Sequence, residues 1–249
     1  MRTWVAITGA AVWTLTSCGG AHTPAVEVSV AATPVRPEPV AHEAPQRGGC
    51  GATGGMTIEG QLGSLAPSGV TRVLRAATDD LAGCYRQRVE TLPFLSGRIE
   101  LKIRVGTDGS VRWALPTVSS LGDRETERCM MDRARTLRFD PPCGGEAEVT
   151  FPLEFAGGED ARPATDWAPA RVESAVHQHR TALARCRGTV TGPITLTVYA
   201  GMDGRVVSAG ASVPDENAVV AVDCMLDAVI TWHLPLPGSW YARATVQIP

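Results

Sequence analysis

The sequence predicts an α+β protein: two tandem small domains, each in the order α-β-β-α-β, with a three-stranded antiparallel sheet and two helices. Three observations predict it. The chain matches itself at a fixed offset, each copy holds two alternating strands joined by a Gly-x-Asp-Gly turn, and cysteines recur at matching places on the expected helices. At an offset of 95 residues, 97–137 lies over 192–232 without a gap and 13 of 41 positions are identical. The identities include Gly106, Asp108 and Gly109, and also Cys129, Met130 and Asp132, so that "CMMD" at 129–132 returns as "CMLD" at 224–227. Self-similarity at one offset marks a unit carried twice.

Copy one begins with a helix over 68–90, in which Val70, Val73, Leu74, Ala77, Leu81, Cys84 and Tyr85 form one apolar stripe. "GRIELKIRV" (97–105) then alternates, with Ile99, Leu101, Ile103 and Val105 on one face and Arg98, Glu100, Lys102 and Arg104 on the other. In "GTDG" the Asp108-Gly109 pair suits the positive φ of a hairpin, which makes Asp108 and its counterpart Asp203 turn residues. "SVRWALPTV" returns as the second strand, and Pro116 assigns it to an edge or a bulge. Asp123 caps a second helix ending near 137, with Cys129, Met130, Ala134 and Leu137 inward. "FDPPCGG" breaks that helix, and "EAEVTFPLEF" is the third strand.

Copy two repeats the order. Its first helix covers 168–185, with Val172, Ala175, Val176, His179, Leu183 and Cys186 on one face. "ITLTVYA", "GMDG" and "RVVSAGASV" make the hairpin, a helix covers 216–232, and "YARATVQI" closes the chain. Two helices over one face of each small sheet leave the other strand face exposed.

Ahead of the repeat, "MRTWVAITGAAVWTLTSCGG" has Arg2 as a positive start and an apolar run from Trp4 to Leu15, too short to span a bilayer comfortably. It ends in Leu15-Thr16-Ser17-Cys18, which resembles a bacterial lipobox, where the peptide is cut before the cysteine and that cysteine is lipidated. The expected domains are a signal peptide 1–17, Cys18 with a disordered Pro/Ala/Gly-rich tether to 62, copy one 63–157, a linker 158–165 and copy two 166–249. Acyl chains at about 0.8 kcal/mol per buried CH₂ anchor such a protein to a membrane. Gly19 stands where such lipoproteins typically carry Asp for inner-membrane retention, which implies the outer membrane, on its periplasmic face or at the cell surface.

Export sets the reading of the remaining cysteines, Cys50, Cys84, Cys129, Cys143, Cys186 and Cys224, an even number in an oxidising compartment. Cys84 ends one helix and Cys129 lies on the next, and Cys186 and Cys224 repeat that arrangement, so side-by-side helices allow pairs 84–129 and 186–224. Buried free thiols are the alternative. A zinc site is disfavoured, because no Cys-x-x-Cys occurs. Pairing Cys50 with Cys143 would pin the tether to the loop after the second helix, and the residues leave it open.

The net charge of −3 and the 5% aromatic content exclude a whole-chain basic field and a base-stacking platform, so no nucleic acid is expected. Neither Gly-x-Ser-x-Gly, His-Glu-x-x-His nor a P-loop occurs, and no catalytic residue, metal or cofactor is expected. His177 and His179 are two apart on a helix and face different ways. Asp132 and Asp227 read as helix-surface residues. Arg98, Lys102, Arg104, Arg133, Arg135 and Arg138 read as solvated faces, with an anionic envelope polymer as the rival.

Residues 62–156 resemble the AgmX/PglI C-terminal domain, a TonB-C-like module of predatory and gliding bacteria. Cys84-Tyr85, Leu95-Ser96-Gly97, the turn at 106–109, "SSLGD" at 119–123 and Cys129 carry the resemblance, and Phe139-Asp140-Pro141 departs slightly from the family's Phe-Pro. Copy two departs further, with Arg187 in place of the Tyr and Leu234-Pro235 in place of Phe-Pro. The resemblance implies a TonB C-terminal-like fold and a role in envelope transport or motility machinery. The leading expectation is a non-enzymatic lipoprotein that binds an envelope protein by strand addition to an open sheet edge. A disulfide-braced spacer without a dedicated partner is the second reading. An enzyme with a site between the copies is the third, and it requires convergent acid, base or nucleophile side chains there.

Overall fold

The computed structural model describes residues 62–157 and 161–248. The expected signal peptide, Cys18, Cys50 and nearly all of the tether lie outside the described residues. The fold is α+β, with two sheets and five α-helices.

Helix α1 (Pro67–Val89) starts on a proline, whose fixed φ and missing N–H suit the first helical turn. Ala77, Leu81, Cys84 and Tyr85 of its stripe are buried, while Val70, Val73 and Leu74 pack as a partly covered end. The Tyr85 hydroxyl donates to the carbonyl oxygens of Leu95 (2.7 Å) and Ala156 (3.0 Å), tying the helix to the end of the sheet where β1 starts and β3 ends. Strand β1 (Gly97–Val105) alternates as its sequence does, and it is central between β2 (Val111–Ser119) and β3 (Ala147–Phe155), both antiparallel to it. The turn glycine Gly109 has φ +78°, and the Asp108 carboxylate accepts from the N–H and hydroxyl of Ser110, which hold it below the usual carboxylate range. The register of β1 on β2 slips between Glu100 and Leu101, where Val118 and Pro116 are the partners, so Thr117 bulges beside the proline.

Helix α2 (Arg124–Arg135) is N-capped by Asp123, which accepts from the N–H of Thr126 (3.0 Å). It buries Met130 and Ala134 as expected, but also Thr126, Glu127 and Met131, while Cys129 is half-buried. With α1 it closes a core of Leu81, Phe94, Ile99, Leu101, Ile103 and Phe151, each burial contributing about 1.5–3 kcal/mol.

The second half departs from expectation in three ways. The helix read over 168–185 is two, α3 (Ala170–Gln178) and α4 (Arg180–Arg187), broken at His179 with φ −98° and ψ 10°. The break lets the imidazole lie on the indole of buried Trp232 at 5.0 Å between centroids and 12° between planes. The sheet has four strands rather than three. Its order is β4-β7-β5-β6, and the short β4 (Thr165–Asp166), read as linker, runs parallel to β7 (Ala242–Ile248). β5 (Ile194–Ala200) and β6 (Val206–Ala211) form the expected hairpin. The helix read over 216–232 begins as a 3₁₀ turn at Glu216–Ala218 and becomes α5 at Val219–Val229.

The third departure matters most. The outer face of the second sheet is covered at β5 and β6, where Thr197 and Tyr199 are 0% exposed and Ser208 is 3% exposed, while Gln247 on β7 stays exposed. The first half supplies the cover. Tyr199 joins the first core, and Leu115 and Met131 of the first half join the second core of Val172, Ile194, Val198, Met225 and Trp232.

Candidate functional site

Strand addition requires an unpaired edge, and four strands are outermost or nearly so. At β2, the Pro116 carbonyl accepts from the N–H of Val213, so this edge meets the chain just beyond β6. β4 occupies the start of the β7 edge, with the N–H groups of Thr165 and Trp167 donating to the carbonyls of Tyr241 and Arg243. The edge of β3 differs. Only its approach is engaged, where the N–H of Gly63 donates to the Glu146 carbonyl at 2.7 Å. Among the described residues no strand pairs with the outer side of β3 over Ala147–Phe155.

Which backbone groups that edge offers follows from the alternation of an antiparallel strand. Gly63 lies on the outer side, so the carbonyl of Glu146 points outward, and with an unbroken register so do the backbone groups of Glu148, Thr150, Pro152 and Glu154. Pro152 therefore sits where its missing N–H belongs to the edge and not to the β1 ladder. Beside this edge the outer sheet face is charged and internally paired. Lys102 bridges Glu148 at 3.0 Å, Arg104 bridges Glu148 at 3.0 Å, and Arg112 bridges Glu146 at 3.4 Å.

A second feature was not expected: a buried polar network at the joint between the halves. Asp123 receives both the N–H and hydroxyl of Thr126, the guanidinium of Arg88 (3.0 Å to Oδ2) and the hydroxyl of Ser208 on β6 (2.7 Å). Burial pushes its carboxyl up, but the donors Arg88, Thr126 and Ser208 outweigh burial and hold it below the usual range. Glu127, one helical turn on, is 0% exposed. It accepts from the Ser119 hydroxyl (2.6 Å), the Ala211 N–H (3.3 Å) and Arg124 (3.5 Å). Burial dominates there and pushes the Glu127 carboxyl up to about 7, against the pull of Arg124 and Ser119. Arg124 also reaches across the joint to Asp223 of α5 (2.7 Å), and its Nη2 is buried with no hydrogen-bond partner among the described residues. At the other end of the joint, the Tyr199 hydroxyl donates to the Ser96 carbonyl (2.9 Å), and Arg243 bonds that same carbonyl and Asp166.

β6 approaches closely because of Gly210. A Cβ there would stand 2.5 Å from a Glu127 carboxylate oxygen and 2.7 Å from the backbone nitrogen of Asp123. The cluster does bring convergent carboxylates between the halves, where the sequence reading found none. Asp123, Ser119, Thr126, Glu127 and Ser208 are buried and Arg124 nearly so, while Arg88 and Asp223 are half-buried at the rim.

The cysteines fall as follows. Cys84 is bonded to Cys129 and Cys186 to Cys224, with Cα atoms 5.8 and 5.4 Å apart, so the bonds staple α1 to α2 and α4 to α5. Cys143 is disulfide-bonded, and Cys50 lies outside the described residues. Asp203 holds its turn by accepting from the Arg205 N–H, and Asp132 pairs with Arg135 on the helix surface. Arg133 pairs with Asp80 of α1, and the Arg138 side chain turns back to the Leu137 carbonyl. His177 contacts Arg180 and stands apart from His179. Among the described residues no cluster of His, Cys, Asp and Glu suits a metal ion, and no helix is long and apolar enough to cross a membrane.

No family model, curated protein or solved structure matches this chain. The likeness to the AgmX/PglI C-terminal domain therefore rests on the motif residues themselves.

Proposed function

We propose that this chain is a non-enzymatic outer-membrane lipoprotein, anchored through Cys18, whose tandem TonB-C-like domains bind an envelope protein by strand addition at β3. The observation that carries the reading is the β3 edge. Its outward backbone groups at Glu148, Thr150 and Glu154 are unengaged among the described residues, whereas the edge of β7, the matching strand, is partly taken by β4. An extended segment added there gains main-chain hydrogen bonds for affinity, and side chains beside Thr150 and Glu154 give selectivity. The disulfides and the buried joint keep the edge on a rigid support.

The test is in-cell crosslinking and affinity capture with the whole lipidated chain, beside a Thr150→Pro variant. That proline removes one outward N–H and leaves the β1 ladder in place, because Thr150 faces away from β1. One envelope protein captured by the wild type and lost by T150P is the expected result. Equal capture by both, or none by either, sinks strand addition and leaves the braced spacer.

A further inference from the structure

We propose that the joint between the two halves is a proton-dependent latch, which when closed hides the outer face of β5 and β6 and the edges at Pro116 and Val213, and which ionisation of Glu127 loosens. The proposal stands on the geometry of the joint and does not depend on what binds β3.

The surface concerned is large and unlike its counterpart. On the first sheet the outer face carries Arg98, Glu100, Lys102 and Arg104 and meets solvent. On the second sheet the matching face carries Thr195, Thr197 and Tyr199, and Thr197 and Tyr199 are sealed beneath 94–96 and 119–123 of the first half. Two of the groups that seal it are carboxylates of opposite character. Asp123 is satisfied as an anion by Arg88, Thr126 and Ser208. Glu127 has fewer donors for its burial. It faces Ser119 of β2, the Ala211 N–H at the end of β6 and Arg124 on its own helix, and Arg124 is shared with Asp223, which also holds Arg128. The unpartnered Nη2 of Arg124 adds to the strain, because a buried network that is partly satisfied costs more than one fully satisfied. The same sequence positions in copy two are Ala218 and Val222. Neither carboxylate has a counterpart in copy two.

The direction follows from linkage. Glu127 holds its proton up to about pH 7 when the joint is closed, against an ordinary value of 4.5 once it meets water. The closed joint is therefore most favoured below 4.5, weakens as pH rises through that window, and is at its weakest above about 7. The full difference between 4.5 and about 7 corresponds to at most about a 300-fold change in the closed-to-open ratio. Asp123 does not oppose this, since its carboxyl is held below the usual range and stays ionised throughout.

Amide hydrogen exchange on the full chain, at pH from about 5 to about 8.5 and corrected for intrinsic rates, tests the latch. Protection at Ala211 and Val213, whose N–H groups donate across the joint to Glu127 and to the Pro116 carbonyl, is expected to fall by up to about 70-fold from about pH 5 upward, nearly all of it below about 7, and to level off above, while that of β1 stays level. E127Q is expected to keep the acid-side protection at every pH. A wild-type profile that is flat across the window overturns the latch, as does an E127Q protein that retains the slope. Should E127Q not fold, the infrared carboxyl bands of the wild-type chain labelled with ¹³C-glutamate decide. A protonated carboxyl that ionises near 7 together with the exchange change supports the latch, and glutamates fully ionised across the window overturn it.

Discussion

Asp123 was legible in the sequence as a helix cap, and it is one, yet the cap is the lesser part of what it does. The same carboxylate receives Arg88 from α1 and Ser208 from β6, and so fastens three elements at once. Removing it leaves the buried Thr126 hydroxyl without its acceptor and takes one of two partners from Ser208, which keeps the Gly122 carbonyl, and from Arg88, which keeps Glu125, so Asp123→Ala should cost about 2–4 kcal/mol, more than the roughly 1 kcal/mol of a cap alone. Denaturant unfolding at neutral pH measures this. A loss near the cap value would mean that Arg88 and Ser208 find other partners. The pH dependence has a definite sign. The Asp123 carboxyl is held below its ordinary value of 3.8, so its contribution is complete above 3.8 and is lost as pH falls through the folded value. Wild-type stability should therefore drop in acid, with a shallower drop in D123A. Glu127 titrates in the other sense, its contribution fading as pH rises toward 7. Nothing in the local pattern announced Glu127, because a Glu in the first turn of a helix reads as a solvated charge suited to the helix dipole. The available signal was comparative: Glu127 and Asp123 stand where copy two has Val222 and Ala218.

At the scale of elements, what was written in short-range pattern was readable and what depended on the other half was not. The alternation of 97–105 gave β1 its faces, Pro116 gave β2 its bulge, and the Gly-Asp-Gly chemistry gave both hairpins. The covering of β5 and β6 could not come from their own period, since a strand buried on both sides by a neighbouring unit still alternates. The uncharged Thr195, Thr197 and Tyr199, against Glu100, Lys102 and Arg104 in copy one, are the trace it left. β4 had even less to show, being two residues held by the backbone of Tyr241 and Arg243. Gly210 is the element-scale test of how close β6 lies to α2. A methyl group there meets the Glu127 carboxylate and the Asp123 backbone, neither of which is a free end, so Gly210→Ala should destabilise by about 2–4 kcal/mol. Gly83 offers the contrast, lying inside α1 with only the far end of the Arg86 side chain near its Cβ position, so Gly83→Ala should cost nothing and gain up to about 1 kcal/mol of helix propensity. Paired melting curves separate the two, and equal costs would mean that β6 stands off from α2.

The whole molecule raises the question whether two copies of a unit make two independent bodies. Their cores say otherwise. Leu115 is on β2 of the first half, is 1% exposed, and packs in the second core, while Tyr199 of the second half packs in the first. The Cys84–Cys129 and Cys186–Cys224 bonds each stay within one half, with loops of 45 and 38 residues that contribute up to about 4 kcal/mol each, so neither of these two holds the halves together. What joins them is shared apolar surface and the carboxylate network. Leu115→Ala distinguishes a shared core from two separate ones. Deleting those carbons should cost about 2–5 kcal/mol, the range for a buried Leu truncated to Ala. If the halves were separate, exchange protection would fall in β1, β2 and β3 alone. With a shared core, protection should fall at least as much in β5 and β6, although the substitution lies some 80 residues earlier in the chain, and unfolding of the wild type at mildly acid pH should be a single transition. Loss confined to the first sheet would make the contact between the halves incidental, and the latch at Glu127 would then have nothing to close.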